Sequence, residues 1–348
     1  MPLPSDNASL KFKEFQSVGY RLYRTLIDPI SSFLISDKMF ISPDNILSYL
    51  PFETITTSPD SPEKIMYKDL SYLMNSFDIS YTYSATFMAE SEKKVFRTTN
   101  KLIAFAPNYP EPIDIQSVLM SRQSGMGVLN DLPYARQEAE YVSNITGGKL
   151  FENSEAKESV YKNESGKYDI IHLAMHTLLN DSDPMRSTLI FSHLKDSLED
   201  GYLKTFEIYG IPLKAKMVVL SSCNTGTGQL YSGEGILSLA RGFIYSGSQS
   251  VIMSMWEIED KSGTEIIEMF YKNLKNGFPK SVALRKARID FLKNADQLRS
   301  HPYFWSALVV YGNNSPLYYS KSLKIVVALI VTTLFLSIGF YFWKRKYS

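Results

Sequence analysis

Apolar positions change their period along the chain. Between residues 10 and 34 they recur at helical spacing, with Phe12, Phe15, Val18, Leu22, Leu26 and Ile30 on one face, which predicts a helix. MFISPDNILSYLPFE (39–53) predicts a short strand, a Pro-Asp-Asn turn and a buried Leu-Pro-Phe. The Thr-, Ser- and Pro-rich stretch at 54–65 predicts a loop. Residues 66–93 are mixed, with a helix expected near 67–75 and then β-prone SYTYSATF.

From residue 101 a regular alternation begins. KLIAFAPNY predicts a strand, and DLPYARQEAEYVSNITG a helix with Asp131 as N-cap and Gly147 as its stop. GKLF and YDIIHLAMH (168–176) predict strands, and STLIFS (187–192) a hairpin arm. KMVVLSS (216–222) is a strand, GEGILSLARGFIYSG (233–247) a helix and SVIMSMW (250–256) a strand. Helices follow at 262–275 and 280–294, then a last strand in FWSALVVYG (304–312). Strands alternating with helices imply an α/β fold, a mostly parallel sheet with helices on both faces. The density of Tyr and Phe before residue 100 suggests a covering half-domain, a divergent copy of the half that follows at 101–313.

The pattern changes again near the end. Residues 314–324 read as a linker, and IVVALIVTTLFLSIGFYFW (325–343) runs without a charge. As a helix these residues would span about 28 Å, roughly the hydrocarbon thickness of a bilayer. Lys321 and Lys324 flank one end; Lys344, Arg345 and Lys346, in a short basic tail at 344–348, flank the other, near Tyr341 and Trp343. The expectation is a single-pass tail anchor. The N-terminal MPLPSDNASLKFKEF has no basic segment followed by an apolar core, so the large domain is expected in the cytoplasm.

Composition narrows the chemistry. Hydrophobic residues make up 44% and charged residues 21%, which is an ordinary folding sequence. A net charge of +1 gives no general nucleic-acid surface. One cysteine, Cys223, excludes an intramolecular disulfide framework and a Cys-based zinc site. TGTGQL lacks the full dinucleotide fingerprint, and the four histidines form no metal set, so neither cofactor nor metal is expected.

In open parallel sheets, sites form outside the carboxyl ends of the strands. Cys223 follows KMVVLSS, His176 ends YDIIHLAMH, and WEIED follows SVIMSM. One sheet edge would thus collect a thiol, an imidazole and carboxylates. A cysteine nucleophile needs a base or a positive neighbour, because a free thiol is mostly protonated at neutral pH. Read alone, a lone cysteine at a strand end is either such a nucleophile or a small core residue. His172, inside the apolar run, reads as a buried, hydrogen-bonded residue, and His301 before Pro302 as structural.

HLAMHT (172–177), VVLSSCNTGTG (218–228), GEGILSLARGFIYSGSQSVIMSMWEIED (233–260), ALRKARIDFL (283–292) and HPYFWSALVVYG (301–312) together resemble the CHAT domain, a caspase-like peptidase family of the caspase, separase and gingipain clan. SVGYRLYRTLIDPI, MFISPDNILSYLPFE, DISYTYSAT and LPYARQEAEYV stand in the family's order, so the resemblance covers about residues 10–313. It implies a catalytic dyad. His176 matches the second histidine of H-x-A-x-H, and Cys223 the cysteine after the Leu-Ser-small triplet. The implied reaction is peptide-bond hydrolysis through a thioester, with the backbone N–H groups of Thr177 and Cys223 as the oxyanion hole.

Thr177 departs from the family's usual Gly, bringing a Cβ where backbone and substrate approach. No third catalytic member is obvious, and a backbone carbonyl would serve to orient the imidazole. Trp256 and Asp260 match the family's W-x-x-x-D and are substrate-binding candidates, although Asp260 equally suits a helix cap. Asp181 and Asp183 are further candidates, with a solvated turn before Pro184 as the plainer reading. Glu234 matches a Glu-Gly after the catalytic loop, as a helix-start feature or a sensor of activation.

The expectation is a membrane-anchored CHAT-type cysteine endopeptidase that cleaves a dedicated partner protein. Relatives are commonly fused to helical repeats that supply control. None is read here, so a separate activator or sensor protein is expected. Relatives of this type also suggest a pore-forming substrate in bacterial defence, which no residue names. The alternative is a non-catalytic caspase-like scaffold at the membrane, which Thr177 favours and the retention of both His176 and Cys223 disfavours.

Overall fold

The computed structural model describes residues 5–60, 66–93, 100–111, 113–114, 128–180, 182–194, 196–221, 234–256 and 258–318, with Thr333, Ser337 and Trp343 beyond them. Its centre is an eight-stranded sheet in the order β1-β2-β13-β12-β11-β7-β3-β6. These strands are β1 (Lys38–Ile41), β2 (Asp78–Tyr81), β3 (Leu102–Ala106), β6 (Lys149–Glu152), β7 (Ile170–Leu173), β11 (Met217–Leu220), β12 (Ser250–Ser254) and β13 (Leu308–Gly312). Five of them, β6, β3, β7, β11 and β12, run parallel. The direction reverses once, where β13 pairs antiparallel with β12; β2 and β1 then follow β13 in parallel. Residues before 100 thus supply two strands to the same sheet.

Alternation along each strand fills two cores. Leu102, Ala104, Ile170, Met217, Val219 and Ile252 face one cluster. Ile103, Phe105, Ile171, Val218, Leu220 and Val251 face the other. Both faces are apolar because helices cover both. Helices Pro133–Thr146, Asp260–Lys275 and Lys280–Asn294 pack on the first face. Helices Glu158–Glu164, Thr205–Ile208 and Glu234–Tyr245 pack on the second, together with β8 (Thr177–Leu178), β9 (Thr188–Ile190) and β10 (Tyr202–Lys204), an antiparallel trio.

Three sequence expectations need correction. The helix expected over 10–34 is α-helical only from Ser5 to Leu22; it becomes a π-turn at Tyr23–Ile27 and a 3-10 helix at Asp28–Phe33, where Pro29 supplies no N–H. Its apolar stripe is also not wholly buried. Phe12 is, but Phe15, Val18 and Leu22 line an open cleft of about 1340 Å³ with Tyr67 and Leu298. No helix forms over 67–75. Thr57 N donates to Ser71 O at 2.7 Å and Leu73 N to Ile55 O at 2.7 Å, so antiparallel pairing draws off the bonds a helix needs and leaves two 3-10 turns. Asp131 does not cap the Pro133–Thr146 helix; its carboxylate is turned to Tyr109. Gly147 does end that helix, at φ +70°, where a side chain would be strained.

Among the described residues no helix is long and apolar enough to cross a membrane. The expected span at 325–343 lies outside them except for Thr333, Ser337 and Trp343, each helical.

Candidate active site

β4 (Ile113–Asp114) and β5 (Val128–Leu129) pair with each other outside the main sheet; within it, β3 is followed by β6 on one side, and the chain then crosses back to β7 on the other. The carboxyl ends of β3 and β7 therefore flank a topological switch point, where the exposed crevice of such a sheet lies. Phe105 and Leu173 are register partners, and Leu173 pairs in turn with Leu220 of β11. His176 and Cys223 each stand three positions past that row.

His176 is buried at the end of β7. Its Nε2 lies 2.6 Å from the Asn130 carbonyl oxygen. A carbonyl only accepts, so Nε2 carries the proton and Nδ1 is the basic nitrogen of the neutral ring. Burial pushes the imidazole below its ordinary pKa; the Asn130 carbonyl and the Asp131 charge oppose that shift. The orienting group is thus a backbone carbonyl, as the sequence reading allowed. The Tyr109 ring lies against the imidazole, 4.7 Å between centroids and tilted by 45°.

Ile190 N donates to His176 O at 3.0 Å, which starts the β8–β9 ladder. Thr177 is buried and stands opposite Leu189. Hydrogen-bonded and non-bonded pairs alternate in such a ladder, so the backbone N–H of Thr177 points away from β9. Ser221, the last described residue before the cysteine, donates its N–H to Leu173 O at 3.3 Å. Cys223 and Asp181 lie outside the described residues. Glu234 is the first residue of the Glu234–Tyr245 helix.

The remaining candidates have protein partners. Asp183 is exposed and accepts from Arg186 Nε at 2.9 Å, in a turn before Pro184. Trp256 Nε1 donates to Tyr303 O at 3.1 Å. Asp260 Oδ2 accepts from Tyr134 N at 3.2 Å, so it caps the neighbouring Pro133–Thr146 helix rather than its own. Burial raises the Asp260 pKa to about 6; the Tyr134 N–H works against this, while Glu138 and Glu259 add to it. His172 points to the other side of the sheet. Its Nε2 is 2.9 Å from Glu138 Oε1 and its Nδ1 3.2 Å from the Tyr271 hydroxyl, all buried.

Among the described residues, one set of carboxylates has metal-ligand spacing: Glu158, Glu199 and Glu207, within 4.8 Å of one another. Lys162 Nζ lies 2.7, 2.8 and 2.9 Å from the three, so a lysine ammonium already contacts each of them.

Tyr109, Asn130 and Asp131 are the site residues that sequence reasoning missed. Tyr109 ends an apolar run and Asp131 has the look of a helix cap. Only the position of KLIAFAPNY at a strand's carboxyl end pointed towards them.

A family model described as the CHAT domain matches residues 16–313. Human Tetratricopeptide repeat protein 28 is 25% identical over 220 residues, covering 53% of this chain and 9% of its own length. The chain is also similar in structure to the separase–securin complex of Saccharomyces cerevisiae, with a TM-score of 0.46 and 12% identity, covering 79% of this chain and 15% of that one. For the Arg-specific cysteine proteinase gingipain R the TM-score is 0.43 and the identity 9%, covering 87% of this chain and 67% of that one. The chain spans less than a tenth of the curated relative it matches. With the family pattern extending from residue 16 to residue 313, across the whole sheet, this chain belongs to the CHAT domain family.

Proposed function

We propose that the chain is a cysteine endopeptidase in which Cys223 is the nucleophile and His176 its acid–base partner. The observation that carries this reading is His176 itself: an imidazole at a strand's carboxyl end, its Nε2–H held by the Asn130 carbonyl, which leaves Nδ1 as the base. Register supports the pairing, since β7 and β11 are adjacent and both residues follow the same row by three positions.

His176 would take the thiol proton as Cys223 sulfur attacks the peptide carbonyl. Charge then sits on the carbonyl oxygen, facing the backbone N–H groups of Thr177 and Cys223. Collapse breaks the C–N bond, the imidazolium returns its proton to the departing amine, and a thioester remains. Water, deprotonated by the same imidazole, hydrolyses it. This chemistry requires no cofactor. A dedicated partner protein as substrate, a separate activator, and attachment to a membrane through 325–343 with the sheet domain in the cytoplasm complete the proposal.

The test is cleavage of a diverse peptide library by the full chain beside Cys223→Ala and His176→Ala. Cleavage lost in both variants is expected, a drop of at least about a thousandfold by comparison with other nucleophile–base pairs. No cleavage, together with slow alkylation of Cys223 that ignores His176→Ala, would favour a non-catalytic scaffold instead.

A further inference from the structure

His176 sits opposite Ile190, one step before the Thr177–Leu189 pair of the β8–β9 ladder. A hydrogen-bonded antiparallel pair exchanges two N–H···O bonds. One is made directly, from Ile190 N to His176 O at 3.0 Å. On the reciprocal side the Tyr109 hydroxyl stands between the two groups. It accepts from His176 N at 3.2 Å and donates to Ile190 O at 2.7 Å. The phenol has entered the ladder at the histidine.

The same residue holds the ring and its acceptor. The Tyr109 ring lies on the imidazole at 4.7 Å. Its backbone N–H donates to Asp131 Oδ1 at 3.1 Å, and Asn130, the next residue back, gives the carbonyl that receives Nε2. Tyr109 is buried and would fill the same volume as Phe. Filling does not require the hydroxyl; its partner is the amide of the histidine.

The geometry points to Tyr109 as the positioning residue of His176, with Asp131 as the anchor that ties it to the Asn130 carbonyl. The inference rests on the peptidase reading for its consequence and on the histidine's surroundings for its substance. Asp131 also places a negative charge near the imidazolium, a part often taken by a third catalytic side chain.

Two readouts test it on the full chain. Nitrogen-15 shifts of labelled histidines report the tautomer and titration of His176, assigned by its loss in His176→Ala. Iodoacetamide reports Cys223, the chain's one cysteine. Tyr109→Phe should blur the Nε2–H tautomer and slow alkylation at pH 7 by roughly five- to tenfold, the equivalent of one hydrogen bond. Asp131→Asn keeps an acceptor for Tyr109 N–H, so it should keep the tautomer while His176 titrates at lower pH; Asp131→Ala should behave like Tyr109→Phe. In a His176→Ala background, Tyr109→Phe should slow alkylation no further, because its effect passes through the histidine. A wild-type tautomer and titration in Tyr109→Phe would overturn the inference and make Tyr109 a core residue. Alkylation unmoved by His176→Ala would sink the peptidase reading instead, with the nitrogen shifts still deciding Tyr109.

Discussion

At the residue scale, the feature with a measurable signature is a histidine kept neutral by burial. Desolvation holds His176 below its ordinary pKa, with the Asn130 carbonyl and Asp131 opposing. The unfolded chain, near 6.5 for histidine, therefore binds a proton before the folded chain does. Stability from this group is complete above that unfolded value and is lost as pH falls through the depressed folded one. Cleavage should share the direction: its acid limb should lie below about 6.5. A pH profile of kcat/KM between 5 and 8 checks this, and a midpoint well above 6.5 would contradict it. His176 and Cys223 were legible as candidates because each follows an apolar, strand-like run within a motif. Tyr109 and Asn130 were not, since no local pattern marks them. They reach His176 through strand order, because β3 is the neighbour of β7 although 63 positions separate Leu102 from Ser165, the start of the turn that leads into β7.

At the element scale, apolar periodicity found β3, β6, β7, β9, β11, β12 and β13 and the helices at 133–146, 234–245, 260–275 and 280–294, but not the short β10. It failed where backbone pairing overrode it at 67–75 and where Pro29 interrupted a helix. Periodicity also said little about how the first hundred residues join the sheet, because buried charged side chains share that seam with aromatic contacts such as Tyr81 on Tyr311. Arg288, buried in the Lys280–Asn294 helix, meets Glu53 Oε1 at 2.9 Å and donates to the Leu308 carbonyl. Glu53 Oε2 accepts from the Tyr81 hydroxyl at 2.6 Å, and that hydroxyl accepts from Phe52 N at 2.8 Å. Arg288→Met strands a buried carboxylate, so urea unfolding should report a loss of about 3–5 kcal/mol. Adding Glu53→Gln should return part of it, since the uncompensated charge is gone. Loss under about 1 kcal/mol in the single variant would mean that Glu53 is not held as a buried anion.

At the scale of the whole molecule, the sheet reverses at β13, and the chain leaves it through Asn313–Ser315 beside a buried lysine. Lys280 is 1% exposed, and its Nζ donates to Asn313 O and Ser315 O, each at 2.9 Å. Burial lowers its pKa to about 7, and the charge of Lys216 adds to the shift. Two carbonyls suit a neutral amine, which has two N–H groups to give. The unfolded lysine, near 10.4, therefore binds the proton more tightly than the folded one, and stability rises with pH between the two values. From pH 7 to 9 the fold should gain stability, with a slope of up to about 1.4 kcal/mol per pH unit from this group. Lys280→Met leaves both carbonyls without that donor, so it should lower stability at pH 9 while removing the slope. Urea midpoints of the two proteins at pH 7, 8 and 9 separate these effects. Parallel lines would show Lys280 to be charged in the fold throughout. Converging lines as pH falls would show that the last strand's exit is held by a neutral amine, so that acidification loosens the end of the sheet domain from which residues 319–348 continue.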